Sequence, residues 1–226
     1  MLAVLIAGIA LAGPPAEVPL SGVGNLSRWA YVLERATVRE EPSTTAPQIG
    51  LLRTVTPEGE TNLVLLYAAA RDADERLWVR VPLSTLPNGH SGWVPRDALG
   101  DFHRIRTHLL IDRARLRAVL LRDGRAIFST GIGVGRARWP TPPGEFYVRV
   151  RLDHFRNPFY GPVAFGTNAR SPELTDWPQG GIVGIHGTDT PRMLPGRVSH
   201  GCIRMRNAAI TRLARLMPLG TPVTIR

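Results

Sequence analysis

Gly184-Ile185-His186-Gly187-Thr188, followed after a short loop by Ser199-His200-Gly201-Cys202-Ile203-Arg204-Met205, holds the single cysteine of this 226-residue chain and two of its six histidines. A thiol attacks carbonyl carbon only as the thiolate, and an unperturbed cysteine with a pKa of about 8.5 is mostly protonated near neutral pH. It needs a base or a positive charge beside it. His186, His200 and Arg204 are close in sequence and can supply either. A glycine directly before the cysteine lets the backbone come close to a substrate, so the N–H groups of Gly201 and Cys202 are natural donors to a developing oxyanion. A lone cysteine is otherwise a small buried apolar residue, so its neighbours decide the reading.

The order of the groups narrows the choice. Papain-like and NlpC/P60 hydrolases place the cysteine first and the histidine far downstream, whereas His186 precedes Cys202 here. A metal site built from His186, His200 and Cys202 lacks paired Cys-x-x-Cys or His-x-x-x-His spacing, and Asp189 is the only carboxylate close by in sequence. No metal and no cofactor is expected. The block resembles the signature of the L,D-transpeptidases, the YkuD family: His-Gly, a short loop, then Ser-His-Gly-Cys, an apolar residue and Arg or Asn. His186, Gly187, Ser199, His200, Gly201, Cys202 and Arg204 all fall on it.

The resemblance implies Cys202 as nucleophile and His186 as proton donor and acceptor, oriented by the backbone carbonyl of Gly187. Gly201 is expected to give an oxyanion N–H, and Ser199, His200 and Arg204 to bind substrate. Arg204 suits a substrate carboxylate because its planar guanidinium can bond both oxygens. The family reaction is acyl transfer on peptidoglycan stem peptides. The thiolate attacks the carbonyl of the third, diamino acid residue of a tetrapeptide stem and releases D-alanine; the side-chain amine of a second stem takes the acyl group, giving a 3→3 cross-link. With water as acceptor the same chemistry is that of an L,D-carboxypeptidase. A non-enzymatic wall-binding protein with a degenerate second domain is the remaining alternative.

Working outward, Asn207 to Met217 places Ile210, Leu213, Ala214 and Met217 on one helical face, with Asn207 as a favourable N-cap and Pro218 and Gly220 as stop signals. Val223-Thr224-Ile225 reads as a closing strand. Upstream, Thr107 to Asp112 and Leu116 to Leu121 alternate as strands. The Asp123-Gly124 pair, with the strand Ala126 to Gly131 after it, signals a hairpin because the glycine can take the positive φ that such turns require. Thr141-Pro142-Pro143-Gly144-Glu145-Phe146 resembles a second L,D-transpeptidase hallmark. Residues 101–226 are thus expected to form an L,D-transpeptidase-type β-sandwich with a short helix after the cysteine. The Pro- and Gly-rich stretches Arg156 to Gly166 and Asn168 to Gly181 are expected as loops around the cleft, with His154 near its border. His90, His103 and His108 read as surface or turn residues.

Residues 26–100 carry short strands at close spacing: Tyr31 to Leu33, Ala36 to Arg39, Gly50 to Leu52, Leu63 to Tyr67, Leu77 to Val81 and Gly92 to Pro95, with a polar loop from Arg71 to Arg76. The pattern predicts a small β-barrel, and it resembles a bacterial SH3-like domain, in which Trp-x-x-Val and a terminal Gly-Trp-Val recur. Trp78 and Trp93 read as core residues ahead of groove residues. The fold class is therefore mainly β in two domains. Charge divides at the same place: residues 1–100 hold 8 Arg against 10 acidic residues, and residues 101–226 hold 20 Arg against 8, with no lysine anywhere. Such a basic half suits an anionic wall polymer. Nucleic acid is not expected, because no arginine cluster shares a face with stacking aromatics.

Residues 1–25 open with the uncharged run Leu2 to Ala12 and then Gly13-Pro14-Pro15. A dozen residues is short of the roughly 20 that span a bilayer as a helix. The run fits the apolar part of a signal peptide or of a truncated anchor, although the usual basic start is missing. Membrane contact is expected only through such an anchor, and the protein is expected to be exported to the cell wall or periplasmic space. With one cysteine, no internal disulfide can form.

Overall fold

The computed structural model describes residues 16–22, 26–153, 157–173 and 180–226. The leader, His154 and Arg156 lie outside the described residues. The first half comprises strands β1 (Val18–Pro19), β2 (Ser27–Tyr31), β3 (Ala36–Arg39), β4 (Gln48–Leu52), β5 (Leu63–Leu66), β6 (Ala68–Arg71), β7 (Leu77–Pro82), β8 (Ser91–Pro95) and β9 (His103–Ile105). They pair in two sheets, one in the order β1-β6-β7-β8-β3-β4 and one in the order β5-β2-β9. Both close on one core of Ala30, Val38, Val64, Leu66, Val79, Val81 and Val94. Trp78 and Trp93 are buried as expected, and the Trp78 indole N–H is satisfied by Asp72 Oδ2 at 2.9 Å. The short strands β1, β6 and β9 were not legible in the sequence. They are only two to four residues long and owe their conformation to pairing with β6, β7 and β2.

The second half comprises β10 (Thr107–Asp112), β11 (Arg117–Arg122), β12 (Arg125–Gly131), β13 (Gly133–Gly135), β14 (Gly144–Asp153), β15 (Val163–Arg170), β16 (Ile182–His186), β17 (Gly196–Ser199), β18 (Ile203–Arg204), helix α1 (Asn207–Leu216) and β19 (Pro222–Ile225). One sheet runs β12-β11-β10-β19-β14-β15-β16-β18-β13-β17. Since β12 leads almost directly into β13, near the far end of that order, the sheet must curl back on itself around its core. Leu109, Ile111, Leu120, Phe146, Phe165, Ile185 and Ile203 fill the interior, with Ile210, Leu213 and Ala214 of α1 added to it. At the β11–β12 turn Asp123 and Gly124 take φ of 50° and 76°, the positive pair that matches the right-handed twist of a two-residue hairpin.

Two expectations need correction. Residues 163–170 are not loop: Val163 to Arg170 form β15, an inner strand held by β14 on one side and β16 on the other. Its glycine and small residues are buried between the two neighbouring strands. Asn207 is not the N-cap of α1 but its first residue; Arg206 holds the cap position and makes no side-chain cap bond.

The outer face of β14 and β15 is covered by the first half of the chain. Tyr147 donates its hydroxyl to Leu63 O at 3.3 Å, and burial pushes its phenol far above the ordinary range, so it stays a neutral donor. Asn88 exchanges two bonds with the Arg170 backbone, at 2.7 and 2.8 Å. Deepest in the seam, one Arg149 nitrogen reaches both oxygens of Glu58 at 2.8 and 3.0 Å, with side-chain exposures of 5% and 2%.

Candidate active site

β16 is buried along its whole length, so its two faces meet different neighbours. Val183 and Ile185 enter the main core, leaving Ile182, Gly184 and His186 on the opposite face by the period-2 alternation of a strand. β18 runs parallel beside it, with Ile185 opposite Ile203 and His186 opposite Arg204. One step back in that register sets Cys202 beside Gly184. The Gly184 N–H accordingly donates to Cys202 Sγ at 3.3 Å. Such a bond favours the thiolate, because it is stronger to S⁻ than to S–H.

His186 is fully buried, and its Nδ1 lies 2.7 Å from the Gly187 carbonyl oxygen. A carbonyl can only accept, so Nδ1 carries the proton and Nε2 holds the basic lone pair. Tyr160 joins the two groups: it packs in one cluster with Cys202, Ala164 and Ile182, and its ring meets the His186 ring at 4.9 Å, edge-on. Phe159 lies 5.8 Å from the same imidazole and carries the Arg204 guanidinium over its face at 4.3 Å.

The turn before the cysteine is built from its own side chains. Ser199 Oγ donates to Cys202 O at 2.6 Å and accepts from Gly201 N–H at 3.1 Å. Thr141 Oγ1 donates to Gly201 O at 2.7 Å and accepts from Gly135 N–H at 2.9 Å. Gly201 sits at φ +127°, which favours glycine over any side-chain-bearing residue. Ser199, expected against substrate, is instead 1% exposed and bonded inside this turn. The Gly201 N–H, expected to face an oxyanion, is directed at Ser199. A serine hydroxyl readily accepts from the backbone N–H two residues on, and here that local bond closes the turn. His200 is half-buried, its ring edge-on to Trp139 at 4.4 Å.

Asn207, expected as a helix cap, turns its side chain back to the site. Its Oδ1 accepts from Thr188 N–H at 2.8 Å. A Cβ on either Gly187 or Gly161 would run into that oxygen, so three chain segments meet there with no room for side chains. Gly184, Thr141, Phe159, Tyr160 and Asn207 were all missed from sequence. Gly184 left a signal, being two residues before His186 and therefore on its face of a strand; Thr141 opens the Thr-Pro-Pro-Gly stretch, and Phe159 and Tyr160 lie in a stretch expected to border the cleft. Among the described residues no group of three or more His, Cys, Asp or Glu could hold a metal ion.

Residues 106–225 match the family model of the L,D-transpeptidase catalytic domain, YkuD. The chain belongs to the YkuD family. YkuD of Bacillus subtilis (strain 168), named as an L,D-transpeptidase, is 35% identical over 140 residues, or 62% of this chain and 77% of that protein. YqjB of the same organism, named likewise, is 29% identical over 126 residues, or 52% and 70%. The NMR structure of the catalytic domain of the E. faecium L,D-transpeptidase is 25% identical, covers 53% of this chain and 96% of that one, and superposes with a TM-score of 0.40. The YkuD match begins at Arg106, directly after β9, and takes in every residue discussed around Cys202.

Proposed function

We propose that this chain is a peptidoglycan L,D-transpeptidase that forms 3→3 cross-links through a cysteinyl acyl-enzyme. The observation that carries the reading is the parallel pairing of β16 with β18. It sets a thiol that accepts a backbone N–H on the same strand face as an imidazole whose tautomer is already fixed, with Tyr160 packed against both. His186 Nε2 takes the Cys202 proton, and the thiolate adds to the carbonyl carbon of the third stem residue. The tetrahedral intermediate collapses with cleavage of the C–N bond, and the imidazolium passes its proton to the departing D-alanine amine. A second stem then attacks the thioester through its side-chain amine, which loses a proton to His186. The C–S bond breaks and the thiol returns. Because the Gly201 N–H faces Ser199, the Cys202 N–H is the oxyanion donor in this scheme.

Arg204, on the His186 side of the strands, and His200, beside Trp139, bind the stem. The arginine-rich second half draws the enzyme to anionic wall polymer. The first half, residues 26–100, serves as an SH3-like wall-binding domain, and residues 1–25 direct export or anchor the protein outside the cytoplasm. The test is mass spectrometry of the protein incubated with purified disaccharide tetrapeptide. A dimer that has lost one D-alanine, together with an adduct on the peptide containing Cys202, is the expected result. Tripeptide monomer alone makes the protein an L,D-carboxypeptidase, and unchanged substrate with no adduct refutes the assignment.

Asn207 acts in this scheme as a positioning residue. By holding Thr188 N–H it fixes the Gly187 carbonyl, and through it the His186 ring. Asn207→Ala is expected to lower kcat about tenfold to a hundredfold with little change in KM, since small misplacement of a reacting group has effects of that size. Asn207→Asp keeps the acceptor oxygen and is expected to restore most of the rate. Steady-state D-alanine release measures both, and an unchanged kcat in Asn207→Ala sinks the role.

A further inference from the structure

On the opposite side of the β14 strand from the main core lies a cavity of about 490 Å³, a size ordinary for small-molecule sites. It is shared by the two halves of the chain. Leu65 comes from β5, Leu121 from β11 and Pro222 from β19, so its walls are mainly apolar, and Phe146 of β14 borders it from within the main core. None of these residues belongs to the Cys202 site. We propose that this cavity binds an organic ammonium ion with an apolar body, the cationic head at Glu145 and the body inside.

The charge inventory points to a cation. Glu145 lines the cavity and is exposed at it, and its Oε2 accepts a 2.7 Å bond from Thr224 Oγ1. Thr224 in turn lies 2.7 Å from His108 Nε2. Since the threonine proton goes to the carboxylate, His108 must donate, which fixes the ring as a donor at Nε2. Burial holds His108 below its ordinary range, against the pull of Glu145, so it is neutral at pH 7.5. Burial first and Glu145 second push the Tyr67 phenol up, so it too is neutral. Arg106, the remaining charged group on the lining, already has Asp123 at 3.0 Å. Among the described residues no cation pairs with Glu145. The site thus offers one carboxylate bonded only to a hydroxyl, above an apolar pocket, and an ammonium group with a hydrocarbon body satisfies both. A carboxylate ligand would have to compete with Asp123 for Arg106 and would face Glu145.

Isothermal titration of the full chain at pH 7.5 with hexylammonium, hexan-1-ol and hexanoate tests this without any turnover. Hexylammonium is expected to bind about threefold to fivefold tighter than the alcohol, the upper range for an ion pair with an exposed carboxylate. Hexanoate is expected to bind weaker than the alcohol. Glu145→Gln keeps the acceptor for Thr224 and is expected to bring the amine and the alcohol within about twofold of each other. Leu121→Trp fills the cavity and is expected to weaken all three ligands. Equal binding of amine and alcohol, tighter binding of hexanoate, or an amine preference that survives Glu145→Gln overturns the proposal. Amine binding unchanged in Leu121→Trp places the ligand elsewhere and overturns it equally.

Discussion

Cys202→Ala is expected to abolish D-alanine release, by at least about 10⁴-fold, the scale on which removing a nucleophile acts in enzymes that use one. Cys202 is 4% exposed and its sulfur accepts the Gly184 N–H, and no other thiol exists in the chain to substitute for it. The imidazole and the turn remain in the variant, yet neither can form the thioester. Folding is expected to survive. Trading a buried thiol for a methyl group removes one heavy atom, and the loss of packing should stay within about 1–2 kcal/mol. Release assays run beside thermal unfolding separate the two effects. A variant that is folded and still releases D-alanine removes Cys202 from the mechanism, and one that is unfolded is replaced by Cys202→Ser, which keeps the connectivity of the side chain.

Arg149→Ala carries the largest expected effect on stability. Its partner Glu58 is 2% exposed in the seam between the halves, so the truncated variant leaves a carboxylate in a dry place without its closest cation. Breaking a buried pair in this way costs about 3–5 kcal/mol. Arg170 is close enough for Glu58 to raise its pKa against the lowering by burial, and it compensates in part. The low end, about 3 kcal/mol, is therefore expected. Urea unfolding monitored by tryptophan fluorescence measures it. Replacing both members, Arg149→Met with Glu58→Leu, is expected to recover most of the loss, because the desolvation of two charges no longer has to be offset. A single variant within 1 kcal/mol of the parent, read against the ordinary ~0.5 kcal/mol effect of surface substitutions, refutes this account of the seam.

Strands were legible wherever period-2 alternation and turn residues agreed, whereas β13, β16, β17 and β18, which carry the site, were not read as strands. Thr107 to Asp112 and the Asp123-Gly124 hairpin are found where the pattern puts them. Val163 to Arg170 was misread because Gly166 and the small Ala164 and Ala169 mimic a loop, whereas small residues there are needed between two neighbouring strands buried on both faces. Asn207 was misread for a related reason. An asparagine before an apolar helical face is a cap by local rules, and only the approach of Gly161, Gly187 and Thr188 gives its oxygen a different use.

The sequence by itself determined which residues are available for chemistry, since one cysteine, a histidine ahead of it and glycines beside both are properties of the chain. It also determined most of the strands, because alternation and turn preference are local. Only the tertiary structure decided which of these residues meet. Parallel pairing of β16 with β18 brings Gly184 to the sulfur, the Ser199 hydroxyl closes the turn instead of facing outward, and the two halves share a buried ion pair and a cavity. Each depends on register and burial between segments distant in the chain, where the energy of a contact is set by the partner that packing supplies and not by the residue alone.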